Sequence, residues 1–447
     1  MPAQKTPFTG PVRWLLTAGF VDYLGGGLML AFSAVYFTTV VGLSVRRVGL
    51  GLAIGGCTAL VAAVPIGALA DRYGTRRTMV ILHVLRAGAV TGYLLSRGWW
   101  SFVAAVTIAA TADQAVASLN QALVAEQSTG PDRVRVLAVY RTMVNLAISI
   151  AAPIAGVVLD SAHNRSGYAP LLLANAAAYL AVAGLLLRIP NRRAALRTGR
   201  RLPAGVLRDK RLLTLMLVDT VMSLWLPLIN VGFPLWLTGH TDAPHALIGI
   251  LYSADAVTCV LLQVPAARFA ATVPGARRAE VAAGALLAAG AIGLAAAATT
   301  HRAATIAVLA AGLVMITFGE LVTVSAAWTL SYALAPAGRR GQYLSTFGMG
   351  RLIGRQILGP LAMAAVVTSG AVGWAILATA FAAAGAATLR IPFPEDPAAP
   401  ATPKDAAAPR TPTAQARPGS PHKIITIPTG HSVRSSKPRP DAGNRKV

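Results

Sequence analysis

Charge is scarce in this chain. Only 13% of its 447 residues are Asp, Glu, Lys or Arg, where a soluble globular chain carries roughly a quarter. So few charges over this length cannot cover a water-facing surface, which argues against an ordinary soluble domain. Cysteine is scarcer: Cys57 and Cys259 each sit inside an apolar run, which leaves no disulfide framework and no cysteine-based metal spacing. The sequence holds no G-x-x-x-x-G-K-[ST] string, no Ser/His/Asp set and no metal cluster at usable spacing. It therefore offers no basis for an enzyme, a built-in ATP motor or a bound cofactor. His240, Asp242 and His245 share a loop but lack a further ligand nearby, so no metal site is expected there. What the chain has in abundance is apolar length: 55% of it is hydrophobic and the mean hydropathy is +0.59.

The net charge of +24 resembles a nucleic-acid signal in size but not in distribution. Basic residues gather in 188–211 and after Arg390, beside apolar runs, where they read as orientation and anionic-lipid signals rather than a nucleic-acid surface. A membrane helix needs about 20 mostly apolar residues. Such runs fall at 13–40, 47–70, 78–96, 99–124, 136–159 and 168–188, then at 212–238, 246–270, 278–299, 303–333, 342–368 and 371–390. The expectation is an all-α membrane protein of twelve transmembrane helices. Its parts are an N-terminal six-helix bundle (1–188), a basic linker (189–211), a C-terminal six-helix bundle (212–390) and a Pro-rich basic tail (391–447) expected to be disordered. The first run is long enough to span and carries no small-residue cleavage site, so it reads as a membrane helix rather than a signal peptide.

Placing the N-terminus in the cytoplasm puts Arg72, Arg76, Arg77, Arg133, Arg135, the 192–211 cluster, Arg277, Arg278, Arg339 and Arg340 inside. Arg46, Arg47, Arg97, Arg165 and Arg302 fall outside. That asymmetry favours both termini being cytoplasmic. The Ala- and Arg-rich usage points to a high-GC bacterium, hence the inner membrane.

The chain repeats itself. LLTAGFVD at 15–22 recurs as LLTLMLVD at 212–219, and VGL at 48–50 as IGI at 248–250. Val64-Pro65 recurs as Val264-Pro265, while Arg133, Leu137 and Pro153 correspond to Arg340, Leu344 and Pro360. The order never inverts and the offset drifts as small loop insertions would make it. Two parallel six-helix repeats follow, and halves so related place a substrate site near the membrane midplane between them.

Between the second and third runs the chain reads GALADRYGTRR, Gly67 to Arg77. This string resembles the signature loop of the major facilitator superfamily, G-x-L-A-D-R-x-G-R-R. Gly67, Leu69, Ala70, Asp71, Arg72, Gly74 and Arg76 match, and Thr75 departs where a basic residue is common. The resemblance extends over roughly 13–390 through the six-plus-six layout. It implies that Gly67, Asp71, Arg72, Gly74 and Arg76 form a cytoplasmic latch that favours the outward-open state. On the residues themselves, Gly67 permits close helix packing, Gly74 a tight turn, and Asp71 can accept from a helix N-terminus or a neighbouring arginine. The matching stretch 264–278 keeps its proline and arginines but lacks the aspartate. Ala151–Gly156 is similar to the Gly-Pro motif of drug/proton antiporters of the family, with alanines for two glycines; the arginine frequent in antiporter span 4 is absent.

Four acids inside the runs pair by repeat: Asp22 with Asp219, and Asp113 with Glu320. In the family, spans 1, 4, 7 and 10 line the central cavity. Each intramembrane acid costs about 2.5–3.5 kcal/mol on insertion scales, so these need partners or a wet cleft. Asp113 and Glu320, near mid-span, are the leading proton-coupling candidates. Asp22 and Asp219 are read either as coupling groups or as gating and capping groups. Arg351 and Arg355 lie one turn apart on one face, and Arg141 starts span 5. They are read as clamps for an anionic substrate or as ion-pair partners for Glu320 or Asp219.

The resulting expectation is a monomeric secondary transporter in the lipid bilayer that moves a small-molecule substrate, with proton-coupled efflux as the first reading. An importer or facilitator of an anionic metabolite is the alternative. A non-transporting receptor or scaffold that uses the basic tail is the reading from another class.

Overall fold

A run of uncharged residues in a membrane must satisfy its backbone internally, and the helix is the local solution. In a computed structural model, which describes residues 10–30, 33–127, 130–162, 164–190, 206–336 and 339–393, the apolar runs are helical. Among the described residues there is no strand and twelve helices are long and apolar enough to span. Spans 1 to 6 are Pro11–Thr39, Val45–Tyr73, Thr75–Leu95, Trp99–Val124, Val139–Ser161 and Arg165–Leu186. Spans 7 to 12 are Lys210–His240, Ala246–Gln263, Val273–Ala297, Ala303–Leu334, Gln342–Ser369 and Ala371–Arg390. Most of the linker expectation, over 191–205, and the tail from 394 onward lie outside the described residues.

Polar side chains at the helix ends do capping work. Ser44 accepts from the Arg47 amide ahead of span 2, and Asn164 from Gly167 ahead of span 6. Asp209 accepts from Arg211 and Leu212 ahead of span 7, and Thr272 from Gly275 ahead of span 9. Gly74, at φ 94°, is the single residue that turns span 2 into span 3; an L side chain is strained there. Spans 7 and 11 are not regular throughout. Each carries one π-helical turn, Leu228–Gly232 and Gly354–Leu358, a feature that often marks functional sites.

Within the first half, span 1 packs on spans 5 and 6, span 2 on span 4, and span 3 on spans 4 and 6. Within the second, span 9 packs on spans 10 and 12, and span 11 on span 7. The halves meet through spans 2 and 11 and through spans 5 and 8. These two seams are related by the repeat. Gly49 of span 2 lies so close to span 11 that a Cβ would stand 2.7 Å from the Pro360 carbonyl oxygen; its counterpart Gly249 presses against Ala152, next to Pro153, the counterpart of Pro360. Two hydrogen bonds reinforce the second seam: the His245 amide to Asp160 at 3.2 Å and the Ser253 hydroxyl to the Ser149 carbonyl at 3.1 Å.

The close glycine contacts and hydrogen bonds that join the halves lie at mid-span or toward the end that carries loop 40–44. Toward the opposite end, which carries the Gly67–Arg77 loop, Val64 of span 2 is 79% exposed and Phe269 beyond span 8 is 75% exposed. The expected close packing of Gly67 is not made in this conformation: a Cβ there would meet nothing within 4 Å. The physical reason is that span 2 has left span 11 before it reaches residue 67.

Candidate functional site

Between the halves lies a cavity of about 440 Å³, within the range of small-molecule sites. Spans 1, 3, 4 and 6, with Leu52 of span 2, supply its first wall; spans 7 and 11, at and beside their π turns, supply the second.

The first wall is built around Arg86. Span 3 places His83 and Arg86 one turn apart, facing spans 1 and 4. Arg86 Nη1 donates to Asp22 Oδ1 at 2.6 Å, and its Nε lies 2.5 Å from Asp113 Oδ1. The Tyr179 ring of span 6 covers the guanidinium at 3.9 Å, a cation–π contact. His83 is buried, with Nδ1 2.8 Å from the Met79 carbonyl and Nε2 3.6 Å from Asp22. Both acids line the cavity, Asp22 with its side chain buried and Asp113 with its side chain 52% exposed. One guanidinium therefore balances two carboxylates, and the more open of the two faces the space between the halves.

The second wall is arranged differently. Arg351 grips Asp219 with two nitrogens, Nη2 to Oδ1 at 2.6 Å and Nε to Oδ2 at 3.1 Å, the strong bidentate geometry. Gly350 and Gly354 let span 11 lie against Met216, Thr220 and Ser223 of span 7, which brings the pair within reach. Of the two expected partners for Arg351, the structure chooses Asp219. Arg355 stands one turn on, over the Trp225 ring at 5.0 Å. Among the described residues no carboxylate lies within ion-pair distance of it, and its Nε is buried without a hydrogen bond. Arg355 and Gln356 ride on the π turn of span 11, and Asn230 on that of span 7; all three line the cavity.

Glu320 does not line the cavity. It sits beside Asp255 and Cys259 of span 8, the ligand atoms of all three within 4.8 Å of one another. The Thr317 hydroxyl donates to Asp255 at 2.6 Å, and Glu320 Oε2 is buried without a hydrogen bond. Two carboxyls and a thiol this close share a proton or hold a cation; this is the set among the described residues with the donors to ligate a metal. Arg141 is exposed at the start of span 5 and forms no ion pair among the described residues.

Thus Asp22 and Asp113 come together, Asp219 and Arg351 come together, and Glu320 stands apart from both groups. Two intramembrane acids escape a reading by repeat, because neither has a counterpart in the first half: Asp255, and Glu280, which is buried in span 9 and accepts from the Thr323 hydroxyl at 2.9 Å. Their signal was simply an acid inside an apolar run. Asn120, Asn175 and Asn230 also line the cavity.

In the signature loop, Arg76 donates to the carbonyls of Ile189 at 2.9 Å and Leu187 at 3.3 Å. It thereby caps the end of span 6, where a cation is favoured. The Thr75 hydroxyl donates to Glu126. Among the described residues neither Asp71 nor Arg72 bonds to the second half.

The sequence matches the family model described as Major Facilitator Superfamily over residues 15–355, and again over 212–429. The chain belongs to the major facilitator superfamily. The two matches begin on the two copies of the LLT string, Leu15 and Leu212. Solved structures that resemble this superfamily member include a mutant form of the nucleoside transporter NupG, with TM-score 0.73, 14% identity, and coverage of 85% of this chain and 99% of that one. A POT family transporter in complex with 5-aminolevulinic acid gives TM-score 0.68 and 12% identity, covering 85% and 95%. A bacterial homologue of the human lysosomal transporter Spinster, inward-facing and occupied, gives TM-score 0.64 and 11% identity, covering 85% and 94%. At these identities the likeness is one of fold. No curated protein matches the sequence. With its twelve apolar helices, this member is an integral multi-pass membrane protein and a transporter of the major facilitator type.

Proposed function

We propose that this transporter exports a small solute in exchange for protons by alternating access, in the manner of the superfamily's drug/proton antiporters. The observation that carries the reading is Asp113: a carboxylate half-open to the cavity, held through Arg86 to a second, enclosed carboxylate. A proton and a cationic group of the cargo compete for the open carboxylate, and such competition is antiport. Glu320, with Asp255 and Cys259, forms a second proton store off the cavity. The bundles 1–188 and 212–390 rock against each other about the glycine seams. By the distribution of arginines the signature loop and both termini lie in the cytoplasm of a bacterium, so the conformation described is open inward. In the outward state Gly67, Asp71 and Arg72 close against span 11 as the latch. The working unit is a monomer.

The test is flux in proteoliposomes under an imposed pH gradient. Asp113→Asn with Glu320→Gln is expected to abolish gradient-driven movement while the protein remains folded. Unchanged flux sinks the coupling assignment.

One observation favours a second reading, import or facilitated passage of an anionic metabolite: Arg355, the cavity guanidinium without a carboxylate partner among the described residues. Arg355→Gln should then remove binding of the anion and leave the fold intact. Arg351, which the sequence offered for the same task, is occupied by Asp219.

A further inference from the structure

With the His83 ring beside Asp22 neutral, the two walls of the cavity hold carboxylates and guanidiniums in opposite excess. The first holds one more carboxylate than guanidinium: Asp22 and Asp113 against Arg86. The second holds one more guanidinium than carboxylate: Arg351 and Arg355 against Asp219. In each wall the group left over, Asp113 or Arg355, lines the shared cavity. The acids of spans 8 and 10 lie behind the second wall and do not line it.

We infer that the cargo is a zwitterion, its cationic group held at Asp113 and its anionic group at Arg355; this rests on the transporter reading above. A cargo with only a cation leaves Arg355 without a carboxylate partner, and a cargo with only an anion leaves the open oxygen of Asp113 unused. A zwitterion satisfies both and leaves the cavity's net charge unchanged. This also reconciles the two readings above, since one molecule supplies both the group that competes with the proton and the group that needs a guanidinium. Arg355 is pre-aimed: the π turn presents it and the Trp225 face supports its plane. Between the charges, the amides of Asn120, Asn175, Asn230 and Gln356 offer donors and acceptors to an uncharged polar middle. A cavity of about 440 Å³ has room for an amino acid or a short peptide.

The test uses the full-length protein in lipid nanodiscs. The probes are the proteinogenic amino acids and a set of dipeptides, screened by thermal shift. Each probe that binds is compared with its deamino analogue, an anion, and its decarboxy analogue, a cation. At least one zwitterion is expected to stabilise the protein, with both single-charge analogues binding about tenfold more weakly or worse. Asp113→Asn should level the zwitterion with its deamino analogue. Arg355→Gln should level it with its decarboxy analogue, and Arg355→Lys should restore part of the preference. Circular dichroism and gel filtration verify that each variant is folded. The proposal is overturned if no zwitterion stabilises the protein, if a single-charge analogue binds as tightly, or if the preference survives both substitutions. The same probe is then offered to proteoliposomes under a pH gradient. Charge-selective binding without movement overturns the transport reading and leaves the site standing. Proton-driven movement that is indifferent to the missing charge does the reverse.

Discussion

Asp22 in the first half and Asp219 in the second occupy equivalent points of the repeat, each buried and each holding an arginine. The arginine comes from span 3 in one half and from span 11 in the other. Arg86 has an apolar, uncharged stretch at its counterpart in span 9, whereas Arg351 maps onto Val144 of span 5, with Arg141 one turn before it and Asn145 beside it. The acids stand in register in the two halves, while their arginine partners come from different spans. The first half spends its one guanidinium on two carboxylates; the second has a guanidinium to spare. A site between the halves is thereby polarised, which two identical copies facing each other do not achieve.

The comparison breaks most severely at Arg86. Removing it as Arg86→Met leaves Asp113 unpaired and Asp22 with only the His83 ring at 3.6 Å, and the loss of a buried partner costs about 3–5 kcal/mol. The expected result is a large fall in thermal midpoint and in the yield of folded protein. Adding Asp22→Asn is expected to recover part of the loss. In the second half Arg351→Met strands only Asp219, and its stability loss is expected to be smaller than that of Arg86→Met in the same melting assay. Equal losses would refute the unequal loading of the two walls.

A third substitution sharpens the contrast between the ends of the molecule. Gly49→Val drives a side chain into the Pro360 carbonyl and is expected to destabilise this conformation by about 1–3 kcal/mol. Gly67→Val meets open space here, so its melting curve should match the parent, while the latch proposed above predicts a fall in turnover. The smallest effect belongs to Arg355→Gln. With no protein carboxylate to lose, its stability change should stay within about 0.5 kcal/mol, in contrast to its neighbour one turn away.

Much of this was legible in the residues alone. Apolar length marked the spans, and the doubled LLT string marked the parallel halves. The acids of spans 1, 4, 7 and 10 stood out because each had a counterpart. That same dependence on counterparts hid Asp255 and Glu280, which have none. Helical spacing placed Arg351 and Arg355 on one face, but which acid took which arginine depended on Gly350 and Gly354 letting span 11 approach span 7, a tertiary matter. The π turns, which aim Asn230, Arg355 and Gln356, arise from how two long helices accommodate their neighbours, and no local pattern announces them. Gly67 suggested a packing role, and in this conformation a Cβ there meets nothing within 4 Å.

The seams at Gly49 and Gly249 have a mechanical consequence. At Gly249 main chain meets main chain, and at Gly49 only the Ala364 methyl and the Pro360 carbonyl fill the contact, with no bulky knob seated in a hole. Separating such surfaces demands no rotamer rearrangement and strands no bulky group, which suits the rocking of the bundles proposed above. A single added methyl group at either point would act as a wedge in a hinge.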